Sequence, residues 1–192
     1  MRSRRWSLAL ALGVTVFALL AACSSSLLVP ATVANVVDTV TLYALDGTPL
    51  GTPSAYAISG RRTVRIETSV VFDFAFNVDS LDQPVLLPIG AIGLGSSDTL
   101  AQPGFQLTTA TFDNVTLAPT DGYETKTPFV VTTGNVALTR SRVQTCANGS
   151  SLPLYAKLQV LAIDAAARSI RFQILSDQNC AYRGLAPGLP EQ

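Results

Sequence analysis

Few side chains in this 192-residue chain offer chemistry: the cysteines at 23, 146 and 180, the lysines Lys126 and Lys157, and 13 acids, with no histidine anywhere. Without an imidazole there is no histidine-based triad, no histidine metal ligand and no group whose ordinary pKa lies near neutrality. Zinc, copper, haem and non-haem iron sites of the common kinds drop out, and no cofactor is expected. Asp73, Asp79 and Asp82 are the one loose group of carboxylates. With Asn77 they offer hard oxygen ligands of the kind calcium takes, but the spacing is not that of an EF-hand, and solvated turn carboxylates are expected. Glycoside cleavage needs two acids facing each other across a groove, and the spacing singles out no pair. A Ser–Lys nucleophile is the hydrolase route that needs no histidine, yet neither lysine stands three residues after a serine, and Lys157 falls on the polar face of an expected strand. Gly90-Ala91-Ile92-Gly93-Leu94-Gly95-Ser96-Ser97 is glycine-rich but lacks the Gly-Lys-Ser/Thr ending of a phosphate loop, so it reads as a plain connection.

The elements that position these residues begin with an export segment. Met1-Arg2-Ser3-Arg4-Arg5 is basic, and an apolar run from Trp6 to Leu20 follows, interrupted by Ser7, Gly13 and Thr15. That is the pattern of a secretory signal, too short for a permanent span of about 20 residues. Its end, Leu20-Ala21-Ala22-Cys23, resembles the lipobox of bacterial lipoproteins. The resemblance covers residues 1–23. It implies that the Cys23 thiol receives a diacylglycerol group, that residues 1–22 are removed as the signal peptide, and that the new amino terminus is acylated, with fatty acids such as palmitate. The partner so implied is the membrane, through lipid on Cys23. Ser24, where an Asp would favour retention at the inner membrane, implies the cell outer membrane by analogy with enterobacterial lipoproteins. Residues 23–35 then form a short lipidated tether, which holds the domain close to its membrane on the periplasmic or outer side.

Loss of the signal removes Arg2, Arg4 and Arg5 from the 13 basic residues, leaving 10 against 13 acids, a net charge of −3. Such a balance gives no general attraction for nucleic acid, and none is expected as a partner. Arg61, Arg62 and Arg65 are the one local basic group and read as a solvated strand end. With Cys23 committed to lipid, Cys146 and Cys180 are left as an even pair in an oxidising compartment. A bond between them closes a loop of about 35 residues, which stabilises the fold by roughly 3–4 kcal/mol on the chain-entropy account.

From residue 36 onward the apolar period is two. The clearest stretch runs from Val64 to Val78, where Val70, Phe72, Phe74, Phe76 and Val78 alternate with Val71, Asp73, Ala75 and Asn77. One face is expected to be buried and the other, carrying Asp73, to be wet, with a bend near Thr68-Ser69 because an unbroken strand of this length would span about 50 Å. Leu154–Ala162 and Ser169–Ile174 repeat the alternation around a five-residue connection and read as a hairpin. Val36–Leu45 with Asp46-Gly47 and Thr48–Leu50 reads as another. Further strands are expected at 84–89, 105–117, 128–132 and 135–143, separated by turn residues such as Asn148-Gly149-Ser150. No helical stripe follows the signal. The fold class is therefore all-β, an antiparallel sandwich of eight or nine strands over residues 36–182, with a small β-barrel as the alternative and residues 183–192 as a free C-terminal tail. Thr39–Leu50 is similar to the first hairpin of transthyretin-like and other extracellular β-sandwich modules. No domain family is recognised for residues 36–192 as a whole, and the Gly-x-Trp landmark of lipocalins is absent.

These features point to a non-catalytic, lipid-anchored envelope module, structural or binding, whose partner is an envelope protein or a polysaccharide. A barrel-type carrier of an apolar ligand is the competing class, and a carboxylate-based enzyme the third. The interior separates them: a filled core for the module, an enclosed apolar cavity for the carrier, two facing acids in a cleft for the enzyme.

Overall fold

A computed structural model of the chain describes residues 29–95 and 102–191. The signal, Cys23 and the tether up to Leu28 lie outside the described residues, as do Ser96, Ser97 and Gln192. Ten strands form two five-stranded antiparallel sheets that face each other without closing into a barrel, so the sandwich expectation holds and the barrel alternative does not.

The first sheet holds β1 (Val37–Tyr43), β10 (Ser169–Ser176), β9 (Ser151–Asp164), β8 (Val136–Thr145) and β6 (Gly104–Thr108), in that order. The second holds β3 (Arg62–Val64), β2 (Ala55–Ala57), β4 (Phe74–Val78), β5 (Pro84–Pro88) and β7 (Phe129–Val130). The expected hairpin near the carboxyl end is β9–β10, with Ser169 opposite Asp164 and the turn closed by the Asp164 carboxylate accepting the Ala167 N–H at 2.9 Å. The hairpin expected at Asp46-Gly47 does not form. β1 pairs with β10 alone, and after Gly47 the chain crosses to the second sheet, held by the Thr48 hydroxyl on the Ala44 carbonyl.

The long run from Val64 to Val78 breaks more thoroughly than a bend. Between β3 and β4 the Arg65 carbonyl accepts the N–H groups of Thr68 and Ser69 and the Thr68 hydroxyl, closing a turn that satisfies the backbone locally and takes residues 65–73 out of the sheet. Val70 is consequently exposed, and Phe72 packs with Ala55, Ala57, Val64, Ala75 and Ile89 on the outer side of the second sheet. Phe74 and Phe76 do face inward.

Between the sheets Phe74 sits 5.1 Å from Phe105, 5.6 Å from Tyr56 and 6.0 Å from Phe172, centroid to centroid, with Leu42, Leu86, Leu158 and Ile170 completing a filled interior. The outer face of the first sheet is covered as well. The connection between β6 and β7 and the carboxyl segment lay Phe112, Val115, Ala118, Tyr123 and Leu185 over Val136, Leu138, Tyr155 and Leu175. The segment from 183, expected to be a free tail, is part of this layer: Leu185 is buried, Gly184 bridges Leu117, and Gly188 bridges Asn35.

That layer explains Lys157. It lies on the outward face of β9, as its alternation dictates, but the loop above it closes over the side chain, which is 1% exposed. Its ammonium donates to the carbonyls of Phe112 at 2.7 Å and Val115 at 2.9 Å and lies 4.4 Å from the Phe112 ring centre. Burial lowers its pKa, partly offset by the Asp113 charge. Lys157 is a clamp for the 109–118 loop, not a solvated residue and not an accessible nucleophile.

Candidate functional site

Asp73, expected on a wet face, is 1% exposed. It stands just before β4, where one oxygen accepts the Ile58 N–H and the other the Arg142 N–H, each at 2.7 Å. The Arg142 guanidinium lies 3.7 Å away and also reaches the carbonyls of Val70 and Phe72. Arg142 belongs to an irregularity in β8, where the register with β9 shifts between Arg140 and Val143 and frees an N–H to point across to the other sheet. Burial raises the Asp73 pKa, while the two N–H donors and Arg142 pull it back. The group is thus an inter-sheet brace.

The rest of the expected calcium group is dispersed. Asp79 accepts the N–H groups of Leu81 and Gln83 at 2.8 Å and shapes the β4–β5 turn. Asn77 pairs with Asp46, and Asp82 is exposed. Among the described residues no three potential metal ligands come together. Gly90 sits so close to the Thr125 carbonyl and the Gln102 side chain that no side chain fits there, which accounts for a glycine in a packed connection.

A concavity of about 360 Å³ lies at one end of the sandwich. Its floor is the Cys146–Cys180 disulfide, with Cα atoms 5.7 Å apart, as the cysteine count led one to expect. One wall is the β8–β9 turn, where the Asn148 carboxamide accepts the Ser150 N–H and hydroxyl, and Gly149 takes a positive φ. The other is a strap formed by residues 29–35, which the sequence placed in a tether. Tyr182 holds the strap by accepting the Ala31 N–H and donating to the Val29 carbonyl. Asn179 accepts the N–H groups of Thr32 and Val33, each at 2.9 Å, and donates to the Val33 carbonyl at 2.8 Å. Further along, the Asn35 side chain donates to the carbonyls of Gly184 and Ala186, and Arg61 donates to the Ala34 carbonyl.

The electrostatics of the groove are simple. None of the residues lining it is charged; Gln144, Asn148, Ser150, Gln178 and Asn179 alternate with Val29, Val33 and Leu154. Behind the wall the buried Asp177 accepts the Asn179 N–H and carboxamide, both at 2.8 Å, and so orients the residue that grips the strap. Burial raises the Asp177 pKa against those two bonds. The arrangement offers hydrogen bonds and apolar contact, with no group facing the groove that is placed to move a proton.

Of the residues singled out from sequence, the structure brings Cys146 and Cys180 together at this groove. It keeps Asp73 apart from Asp79 and Asp82, which share the β4–β5 turn. Asn35, Asn179 and Tyr182 were missed, because nothing local marks an asparagine that caps a segment some 147 positions away. Comparison with known protein families, with curated proteins and with solved structures finds no match.

The disulfide fixes Cys180, the neighbour of Asn179, to the β8–β9 turn. Replacing both cysteines by serine is expected to lower stability by roughly 3–4 kcal/mol in a denaturant titration. Amide exchange at Thr32 and Val33 should accelerate along with it. Unchanged exchange at those two amides would show that the strap holds without the bond.

Proposed function

We propose that this chain is a lipid-anchored cell-envelope lipoprotein whose β-sandwich serves as a non-catalytic structural or binding module. The observation that carries the reading is the lipobox at Leu20–Cys23, reinforced by the way the domain takes hold of its own amino-terminal strap from Val29 onward. Tyr182, Asn179 and Arg61 hold the segment that leads back toward the anchor, so the position of the anchor is transmitted to the whole domain. Among the described residues the space between the sheets is taken by packed apolar side chains, which favours the module over a carrier. Of the buried carboxylates among the described residues, Asp73 spends both oxygens on N–H donors of the fold and Asp177 spends one, on Asn179. An envelope protein or a polysaccharide is the partner class we assign.

The anchor is tested directly. Cys23→Ser removes the thiol that accepts the lipid, so the variant should incorporate no radiolabelled fatty acid and accumulate as unprocessed precursor. Labelling of the variant equal to that of wild type would sink the assignment.

A further inference from the structure

We propose that the disulfide end of the sandwich is the face that rests on the headgroups of the anchoring bilayer, leaving the opposite end outermost. The inference builds on the lipid-anchor reading and adds an orientation to it.

Chain length limits where the anchor can sit. Cys23 and Val29 are six residues apart, and at about 3.3–3.6 Å per residue the chain between them spans at most ~20 Å. Val29 is not free to swing beyond that reach, because the Tyr182 hydroxyl and the Asn179 carboxamide tie residues 29–33 to the segment beside Cys180. A lipid on Cys23 therefore keeps the groove within ~20 Å of the bilayer surface. β9 begins at this end and runs 14 residues to Asp164, which sets the β9–β10 turn about 45 Å away.

The two ends also differ in their chemistry. The strap and the start of β1 expose Val29, Val33, Val36 and Val37, four large apolar side chains within nine residues, beside a groove without charge. Arg61 and the exposed Arg62 flank the same end, since Arg61 touches the strap at Ala34. Apolar side chains rimmed by hydrogen-bonding groups and arginine suit the headgroup layer. The far end is the more acidic: Asp46, Asp79, Asp82 and Asp164 sit in or beside its turns, and among its cations Arg168 is engaged with the Asp46 and Val78 carbonyls. At the disulfide end, Asp38 and the buried Asp177 stand against Arg61 and Arg62. An anionic bilayer therefore repels the far end more than the first, which favours an upright stance over one lying flat.

Tryptophan provides the test, because Trp6 in the signal is the chain's sole tryptophan. Ala147→Trp places a probe at the groove and Leu81→Trp one at the far end; both positions are exposed. The mature lipidated variants are reconstituted in vesicles of phosphatidylethanolamine and phosphatidylglycerol carrying a dansyl headgroup lipid, and excited where tyrosine does not absorb. Energy transfer should be several-fold stronger from the Ala147→Trp variant. Equal transfer, or stronger transfer from Leu81→Trp, overturns the orientation. The mass of the Cys23 peptide from the same samples separates the two claims: an unmodified cysteine removes the anchor and the orientation with it, whereas a lipidated cysteine with equal transfer removes the orientation alone.

Discussion

Phe74→Ala is expected to destabilise the domain by about 3–5 kcal/mol, a large part of the ~5–15 kcal/mol available to a domain of this kind. Phe74 is fully buried at the point where the two sheets meet, with Tyr56 from its own sheet and Phe105 and Phe172 from the other as ring neighbours. Truncation leaves a void walled by three rings that cannot all move inward, since each is held by strand pairing. A denaturant or thermal melt measures the effect, and a midpoint within a degree or two of wild type would show that Phe74 is not the centre of the core. Phe72→Ala, made alongside, should remove only the outer cluster around Ala55, Val64 and Ile89. Its smaller effect would separate the two faces that the alternating sequence had merged.

The second large effect is at Asp73. Asp73→Ala leaves the N–H groups of Ile58 and Arg142 without their acceptor and the Arg142 guanidinium without its counter-charge. A buried donor left without its acceptor typically costs about 1–3 kcal/mol, and two are left here, while the guanidinium, 33% exposed, adds less. Asp73→Asn keeps one acceptor oxygen and turns an NH₂ toward the other donor, so its loss should be smaller than that of alanine but still measurable. The pH dependence has a definite sign. With the folded pKa raised above the ordinary 3.8, the folded protein holds this proton more tightly than the unfolded chain does. Asp73's protonation therefore favours the fold most below the unfolded value, and that contribution is lost as pH rises through the folded pKa. Acidification from neutrality toward that window should therefore add stability through this group, not remove it. An alanine variant as stable as wild type would show that the sheets do not depend on the brace.

Much of the frame was legible in the sequence because strand alternation is a local signal. Leu154, Ala156, Leu158 and Val160 against Ile170, Phe172 and Ile174 identify both the β9–β10 hairpin and its buried face. The cysteine pair was legible through chain arithmetic. The misreadings at Asp73 and Lys157 share one cause: a period of two says which residues share a face, but not whether the other face is wet. Here the outer face of each sheet is roofed, one by the β6–β7 connection and the carboxyl segment, the other by Phe72 and the turn of 3-10 helix at Ile89–Ile92. Lys157 alternates outward yet is buried, its ammonium taken by carbonyls of the 109–118 loop, while Asp73 is buried against the other sheet, its oxygens taken by the N–H groups of Ile58 and of Arg142 in β8. The strap was illegible for a related reason. Its grip on Asn179 and Tyr182 joins the two ends of the domain, and no spacing rule connects them.

The lipid anchor is decided at the amino terminus of the mature protein. Mass spectrometry of the chain purified from its own membrane fraction should give an amino-terminal peptide that begins at Cys23, with a diacylglycerol thioether and an acylated amine. A peptide beginning at any other residue, or one with Cys23 unmodified, would contradict it.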